Sequence, residues 1–169
     1  TGEQPRGKQA EFVKQVDHRI AVLQGPPGTG KTSFTLAPAV LARMAAAESA
    51  GDRLLTTVTA PSHNAVDEAM EDIVENWAAL TDSTAVTAAT DFVRVRSGSG
   101  EDMNSEGRHP AVEDHVEFIN YYDTADVVEL TDVLRPHAVE DTNATNHLIL
   151  FSTPTSLRGA IDKCAAELF

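Results

Sequence analysis

Gly25, Gly28, Gly30, Lys31 and Thr32 stand at the spacing G-x-x-x-x-G-K-[ST], with Pro26, Pro27 and Thr29 in the variable positions. Residues of these types at this spacing hold a polyphosphate. The glycines let the backbone fold into a nest whose N–H groups converge on one anion, and the helix that follows adds the positive end of its dipole. Lys31 supplies a mobile point charge for the β- and γ-phosphates, and the Thr32 hydroxyl completes the coordination of a Mg²⁺ bridging the same two groups. Ser33 follows in the first turn of that helix. A nucleoside triphosphate is the expected ligand of Gly25 through Ser33. The alternative, a glycine-rich turn that binds nothing, does not explain why lysine and threonine stand where a phosphate loop needs them.

Such a loop works only between a strand and a helix, and the flanks supply both. Residues 19–24 form a short apolar run suited to a buried parallel strand, and 32–44 read as helix, extended to 50 by alanines. Pro38 falls inside that helix and should kink it. Residues 9–16 read as a short leading helix. A second strand at 54–60 runs into a turn and helix cap at Pro61-Ser62-His63-Asn64. Val66, Ala69, Met70, Ile73, Val74, Trp77 and Leu80 then recur at three- and four-residue steps, the pattern of an amphipathic helix. A third strand at 92–96 is broken by Ser97-Gly98-Ser99-Gly100. Weaker helices are expected at 111–122 and 125–135, ending before Pro136, then a fourth strand at 147–151 and a last helix at 155–168. Strands alternating with helices predict an α/β fold with a doubly wound, mainly parallel sheet, one domain over residues 1–169.

A chain of 169 residues with 41% hydrophobic content is large enough for one core. No apolar run reaches membrane-spanning length, and residues 1–8 lack the layout of a signal peptide, so a cytoplasmic protein with no membrane partner is expected. Cys164, the single cysteine, has no partner for a disulfide or a zinc site; its spacing from Leu157, Ile161 and Leu168 places it on a core face. The net charge is −13, and between Lys14 and Lys163 the only lysine is Lys31. Low lysine, abundant Asp, Glu, Thr and Ala, and few aromatics resemble proteins of salt-loving archaea. Concentrated salt shortens the Debye length to about 3 Å at 1 M, so the acidity does not argue against a nucleic-acid partner.

Thr59-Ala60-Pro61-Ser62-His63-Asn64-Ala65-Val66-Asp67 resembles motif Ia of superfamily 1 helicases, in the branch of the nonsense-mediated-decay RNA helicase and the replication nuclease-helicases. There the common form is Ala-Pro-Ser-Asn followed by Ala-Val-Asp, and His63 is a one-residue departure. Gln9-Ala10-Glu11-Phe12-Val13 resembles the family's Q motif, although Gln4 and Gln15 are rival glutamines. Phe92-Val93-Arg94-Val95 resembles the strand of motif Ib, and residues 147–154 the strand and Thr-containing turn before Walker B. The resemblance implies a RecA-like P-loop NTPase fold and a DNA or RNA helicase. It implies ATP and Mg²⁺ as cofactors, with Gln9 on the adenine and Lys31 and Thr32 as the catalytic contacts. It also implies single-stranded nucleic acid on Pro61, Ser62, His63, Asn64 and Arg94. The rival readings are an ordinary helix cap at Ser62 and solvent-facing arginines on the third strand.

No apolar strand ending in Asp-Glu occurs in the chain. Asp126-Val127-Val128-Glu129 is the nearest cluster, and helical spacing suits it better; where the family shows the Asp-Glu strand, the sequence reads Glu167-Leu168-Phe169. The resemblance therefore implies the N-terminal part of a first motor domain, incomplete before Walker B. Its parent would carry the second motor domain, and the piece itself would bind nucleotide without hydrolysing it. An AAA+ remodelling ATPase is the enzyme alternative, which predicts Asp-Glu within roughly sixty residues of the loop. A non-catalytic nucleotide-binding module is the other. Asn143-Ala144-Thr145 is read as a chance glycosylation triplet, and the histidines show no ligand-like spacing.

Overall fold

The computed structural model describes residue 7 and residues 10–12, 32–81, 89–98, 109–138 and 146–168. The helical run begins with a π-wound turn, Thr32–Leu36, and continues as α1, Ala37–Ala50. Then come β1 (Leu55–Thr59), α2 (His63–Thr81), β2 (Thr90–Arg96), α3 (Pro110–His115), β3 (Val116–Asn120), α4 (Thr124–Ala138), β4 (His147–Ser152) and α5 (Pro154–Leu168). Residues 10–12 form a helical turn, as expected there. The four strands lie in the order β1-β4-β2-β3, and every neighbouring pair is parallel. This is the α/β architecture, with an all-parallel sheet, of a partial RecA-like P-loop NTPase fold.

Local sequence explains the boundaries. Pro38 is the second residue of the α-wound part, so its missing N–H falls where the helix changes from π to α winding. Gly51 ends α1 at φ 74°, with its N–H on the Glu48 carbonyl and that of Asp52 on the Ala47 carbonyl. The α2 periodicity is realised: Val66, Ala69, Met70, Ile73, Val74 and Trp77 are all buried.

Two expectations are corrected. The helix expected at 111–122 is only the short α3, and the chain then extends as β3, whose Phe92↔Val116 to Arg96↔Asn120 register adds a strand beside β2. Aromatic and β-branched residues at 116–119 suit the pleated surface, and pairing with β2 overrides a weak helical pattern. The following helix does not stop before Pro136 but runs through it to Ala138. In the last turn the proline forfeits only one intrahelical bond, to the Asp132 carbonyl four residues back.

Strand β1 leaves Leu55, Thr57 and Thr59 exposed, whereas both faces of the central strands β4 and β2 are covered. On one, Phe92, Ile149, Phe151, Val58 and Val116 meet α1, α2 and α3. Trp77 packs edge-on against Phe92 at 5.1 Å, and Phe92 stacks on Phe151 at 6.2 Å. On the other, Val93, Val95, Leu148, Leu150 and Ile119 meet Val127 and Leu130 of α4 and Ala160 and Cys164 of α5. Cys164 is thus a buried core residue, but Ile161 is 53% exposed and does not share its face. Burial of each large apolar side chain contributes roughly 1.5–3 kcal/mol.

Candidate nucleotide and nucleic-acid site

Gln9 and the phosphate loop through Lys31 (Gly25, Pro26, Pro27, Gly28, Thr29, Gly30, Lys31) lie outside the described residues, as do the strand expected at 19–24, the side chain of Thr32 and the Asn143 triplet. The described helix opens at Thr32, immediately behind the loop, and its first turn contains no acidic residue. A helix N-terminus free of carboxylates is compatible with a polyphosphate. The residue types at positions 25–32, a lysine and a threonine among glycines, are those that would hold ATP with Mg²⁺. Ser33 has a partner of its own: its hydroxyl donates to Oδ2 of Asp72 on α2 at 2.7 Å. That bond ties the Thr32–Leu36 turn to the middle of the next helix.

The C-terminal ends of the strands form the rim at which open α/β sheets receive ligands. At the exit of β1, Pro61, Ser62 and Asn64 are exposed and His63 is half-buried. The Ser62 hydroxyl oxygen accepts the Ala65 N–H at 3.3 Å and so caps α2. Capping uses that oxygen as an acceptor and leaves the hydroxyl proton able to donate.

Arg94, expected on a nucleic-acid backbone or facing solvent, does neither. It is fully buried, and Nε donates to Oδ1 of Asp67 at 2.7 Å. One terminal nitrogen donates to the carbonyls of Val95 (2.9 Å) and Phe151 (3.3 Å), and the other lies 3.2 Å from Nδ1 of His63. With arginine as donor, Nδ1 accepts, the tautomer in which Nε2 carries the proton. Arg96 reinforces the same carboxylate at 3.8 Å. A residue with no exposed surface cannot present a charge to a phosphate. Arg94 instead clamps the N-terminal end of α2, carrying His63 and Asp67, onto the ends of β2 and β4. Sequence reasoning missed Asp67 as the anchor, although it stands in the phrase that singled out the turn.

Elsewhere on the rim, polar groups close the strand ends. The Ser152 hydroxyl donates to the Val95 carbonyl at 3.0 Å, and the Thr153 hydroxyl bonds that of Ser156 at 3.1 Å. Asp126 sits near the start of α4 and accepts the Asn120 N–H at 2.7 Å, so the Asp126–Glu129 stretch is helical, as its spacing suggested. Burial, then the Glu129 carboxyl, with Asp91 and Asp126 beyond, pushes Glu117 on β3 up from 4.5 to about 7. Among the described residues no group of three or more His, Cys, Asp or Glu could hold a metal ion, and no helix is long and apolar enough to cross a membrane.

No curated protein and no solved structure matches this chain. A family model does: residues 6–154 match an AAA domain, of the superfamily 1 helicase type. That span takes in the expected phosphate loop, the Pro61–Asn64 turn, the Arg94 clamp and the four strands among the described residues. The chain therefore belongs to the AAA domain family, as a nucleotide-binding domain of the helicase-like ATPases.

Proposed function

We propose that this domain binds ATP–Mg²⁺ through Gly25–Ser33, with Gln9 on the adenine, and single-stranded DNA or RNA through Pro61, Ser62, His63 and Asn64, as part of a helicase or translocase. Bound ATP–Mg²⁺ supplies the γ-phosphoryl group whose transfer to water drives such a motor. Lys31 holds the β- and γ-phosphates, and Thr32 the metal. The exposed amide of Asn64 and the hydroxyl of Ser62 donate to strand phosphates without reading sequence.

The observation that carries this reading is the 2.7 Å bond from Ser33 to Asp72. It joins the helix that begins at the phosphate loop to the helix that begins at the strand-binding turn. A change at the phosphates then has a direct mechanical route to the nucleic acid, which a remodelling ATPase or a passive nucleotide module does not require.

The test is fluorescence anisotropy of a labelled oligothymidylate or oligouridylate, titrated with and without a non-hydrolysable ATP analogue and Mg²⁺. The expected result is binding whose affinity depends on the nucleotide and falls several-fold in Asn64→Ala. Oligonucleotide affinity indifferent to both nucleotide and Asn64→Ala contradicts the proposal, and nucleotide binding with no oligonucleotide binding at all leaves a module of the non-helicase kind.

A further inference from the structure

Tyr122 stands at the exit of β3, on the same rim as the Pro61–Asn64 turn, and is 67% exposed. Its position is fixed from several sides. The Asn120 side chain accepts the Tyr122 N–H at 3.2 Å and donates to the Gly98 carbonyl at 2.9 Å. The Asp123 N–H closes the turn on the Asn120 carbonyl at 2.8 Å. Beneath it Tyr121 is buried, its ring centroid 4.6 Å from that of Tyr122. Gly159 of α5 makes room for Tyr121: a Cβ there would sit 2.8 Å from the Tyr121 ring. The ammonium of Lys163, also on α5, lies 4.7 Å from the centre of the Tyr122 ring.

Lysine is scarce in this acidic chain, with four in 169 residues, yet one sits against the most exposed large hydrophobic side chain among the described residues. An aromatic face on a rigid turn, paired with a cation and set on a ligand-receiving rim, has the composition of a stacking platform for unpaired bases. A base that stacks on the ring takes the place of the ammonium, which swings on its flexible stem to neutralise the adjoining phosphate. From β1 to β3 the rim crosses three strand spacings, about 14 Å at about 4.8 Å each. A strand held at Pro61–Asn64 therefore reaches Tyr122 within a few nucleotides.

We infer that Tyr122, backed by Tyr121 and Gly159 and assisted by Lys163, stacks on a base of single-stranded nucleic acid, as a second contact on the path that begins at Pro61–Asn64. This rests on the strand-binding reading above. Stacking on a tyrosine is tolerant of base identity and needs the ring rather than the hydroxyl.

The experiment measures anisotropy with labelled oligothymidylate for the whole chain and for Tyr122→Phe, Tyr122→Ala, Lys163→Met and Asn64→Ala, with thermal melting of each. Photo-crosslinking to the same oligonucleotide carrying 5-iodouridine is read by peptide mass spectrometry. The inference predicts about a tenfold weakening in Tyr122→Ala, near-native binding in Tyr122→Phe, a shallower salt dependence in Lys163→Met, and a crosslink to Tyr122. Native melting in Tyr122→Ala separates the effect from misfolding, and a Tyr122→Ala chain that melts early leaves the crosslink to decide. Native affinity in Tyr122→Ala with loss in Asn64→Ala overturns the platform and leaves the strand-binding turn standing. Failure of the unaltered chain to bind the oligonucleotide overturns both.

Discussion

The two faces of the sheet are built on different chemistry. Under α1, α2 and α3 the core contains a full guanidinium, Arg94, and a buried imidazole, His147, whose Nδ1 accepts the Leu54 N–H at 2.9 Å. Under α4 and α5 the core is almost wholly apolar, and its charged groups, Glu117, Asp91, Asp126 and Glu129, stand near one another as carboxylates. Apolar packing holds elements together without prescribing one register. A buried arginine satisfied by Asp67, two carbonyls and His63 tolerates essentially one arrangement of α2 against β2 and β4. The face with the polar clamp is also the one that carries the Pro61–Asn64 turn. Specificity of position is thus concentrated where the turn proposed to bind the strand has to be held.

Breaking the clamp from its acidic side should have the largest effect. Asp67→Ala leaves the Arg94 charge buried without its carboxylate, and a loss of about 3–5 kcal/mol is expected in urea unfolding. Arg94→Met, which removes the charge and leaves Asp67 to Arg96, should cost less. Equal losses would mean that the carboxylate is not what stabilises the guanidinium. On the apolar face Leu130→Ala should cost about 2–5 kcal/mol through the cavity it opens, while leaving oligonucleotide affinity unchanged in the folded fraction. Gly159→Ala, which drives a methyl into the Tyr121 ring, should cost about 1–3 kcal/mol, a loss that Tyr121→Leu would partly relieve in a double-mutant cycle.

The smallest effects separate the faces by the sign of their response to pH. His147 is buried, and desolvation holds it below its usual 6.5. The unfolded chain takes up a proton there before the folded chain does, so this contribution is full above 6.5 and is lost as pH falls through the lowered folded value. Glu117 acts in the opposite sense. Its folded value, raised from 4.5 to about 7, makes the folded chain hold a proton that the unfolded chain has released, so stability declines as pH rises across that window. Glu117→Gln should abolish the decline and raise the melting temperature above pH 7, and His147→Gln should flatten the acid limb. Unchanged pH profiles in both variants would remove these groups from the stability balance.

Much of this arrangement was legible in the chain. The runs at 54–60, 92–96 and 147–151 and the α2 stripe announce themselves because length, β-branching and period agree. The third strand of the sheet did not. Val112, Val116 and Ile119 recur at steps of four and three, which imitates a helix, and five residues of β3 are too few for the two-residue period to compete. Arg94 misled for a different reason. Val-Arg-Val-Arg alternation reads as an arm facing solvent, but β2 lies between two other strands and is buried on both faces from Phe92 to Arg96, and only the fold reveals that Asp67 waits 2.7 Å away. Of the site residues, Ser62 was readable both as a cap and as a strand contact, since its cap position follows from the turn before α2. Tyr122 carried no motif, and its exposure becomes apparent only once β3 has an end.

The most direct measurement is an isothermal titration of Mg²⁺–ATP into the whole chain and into Lys31→Ala. Saturable one-site binding that requires Mg²⁺ and is lost, or weakened at least tenfold, in Lys31→Ala is the result expected of a phosphate loop at residues 25–32. Equal affinity in the two proteins, or none in the unaltered chain, would contradict nucleotide binding at this loop.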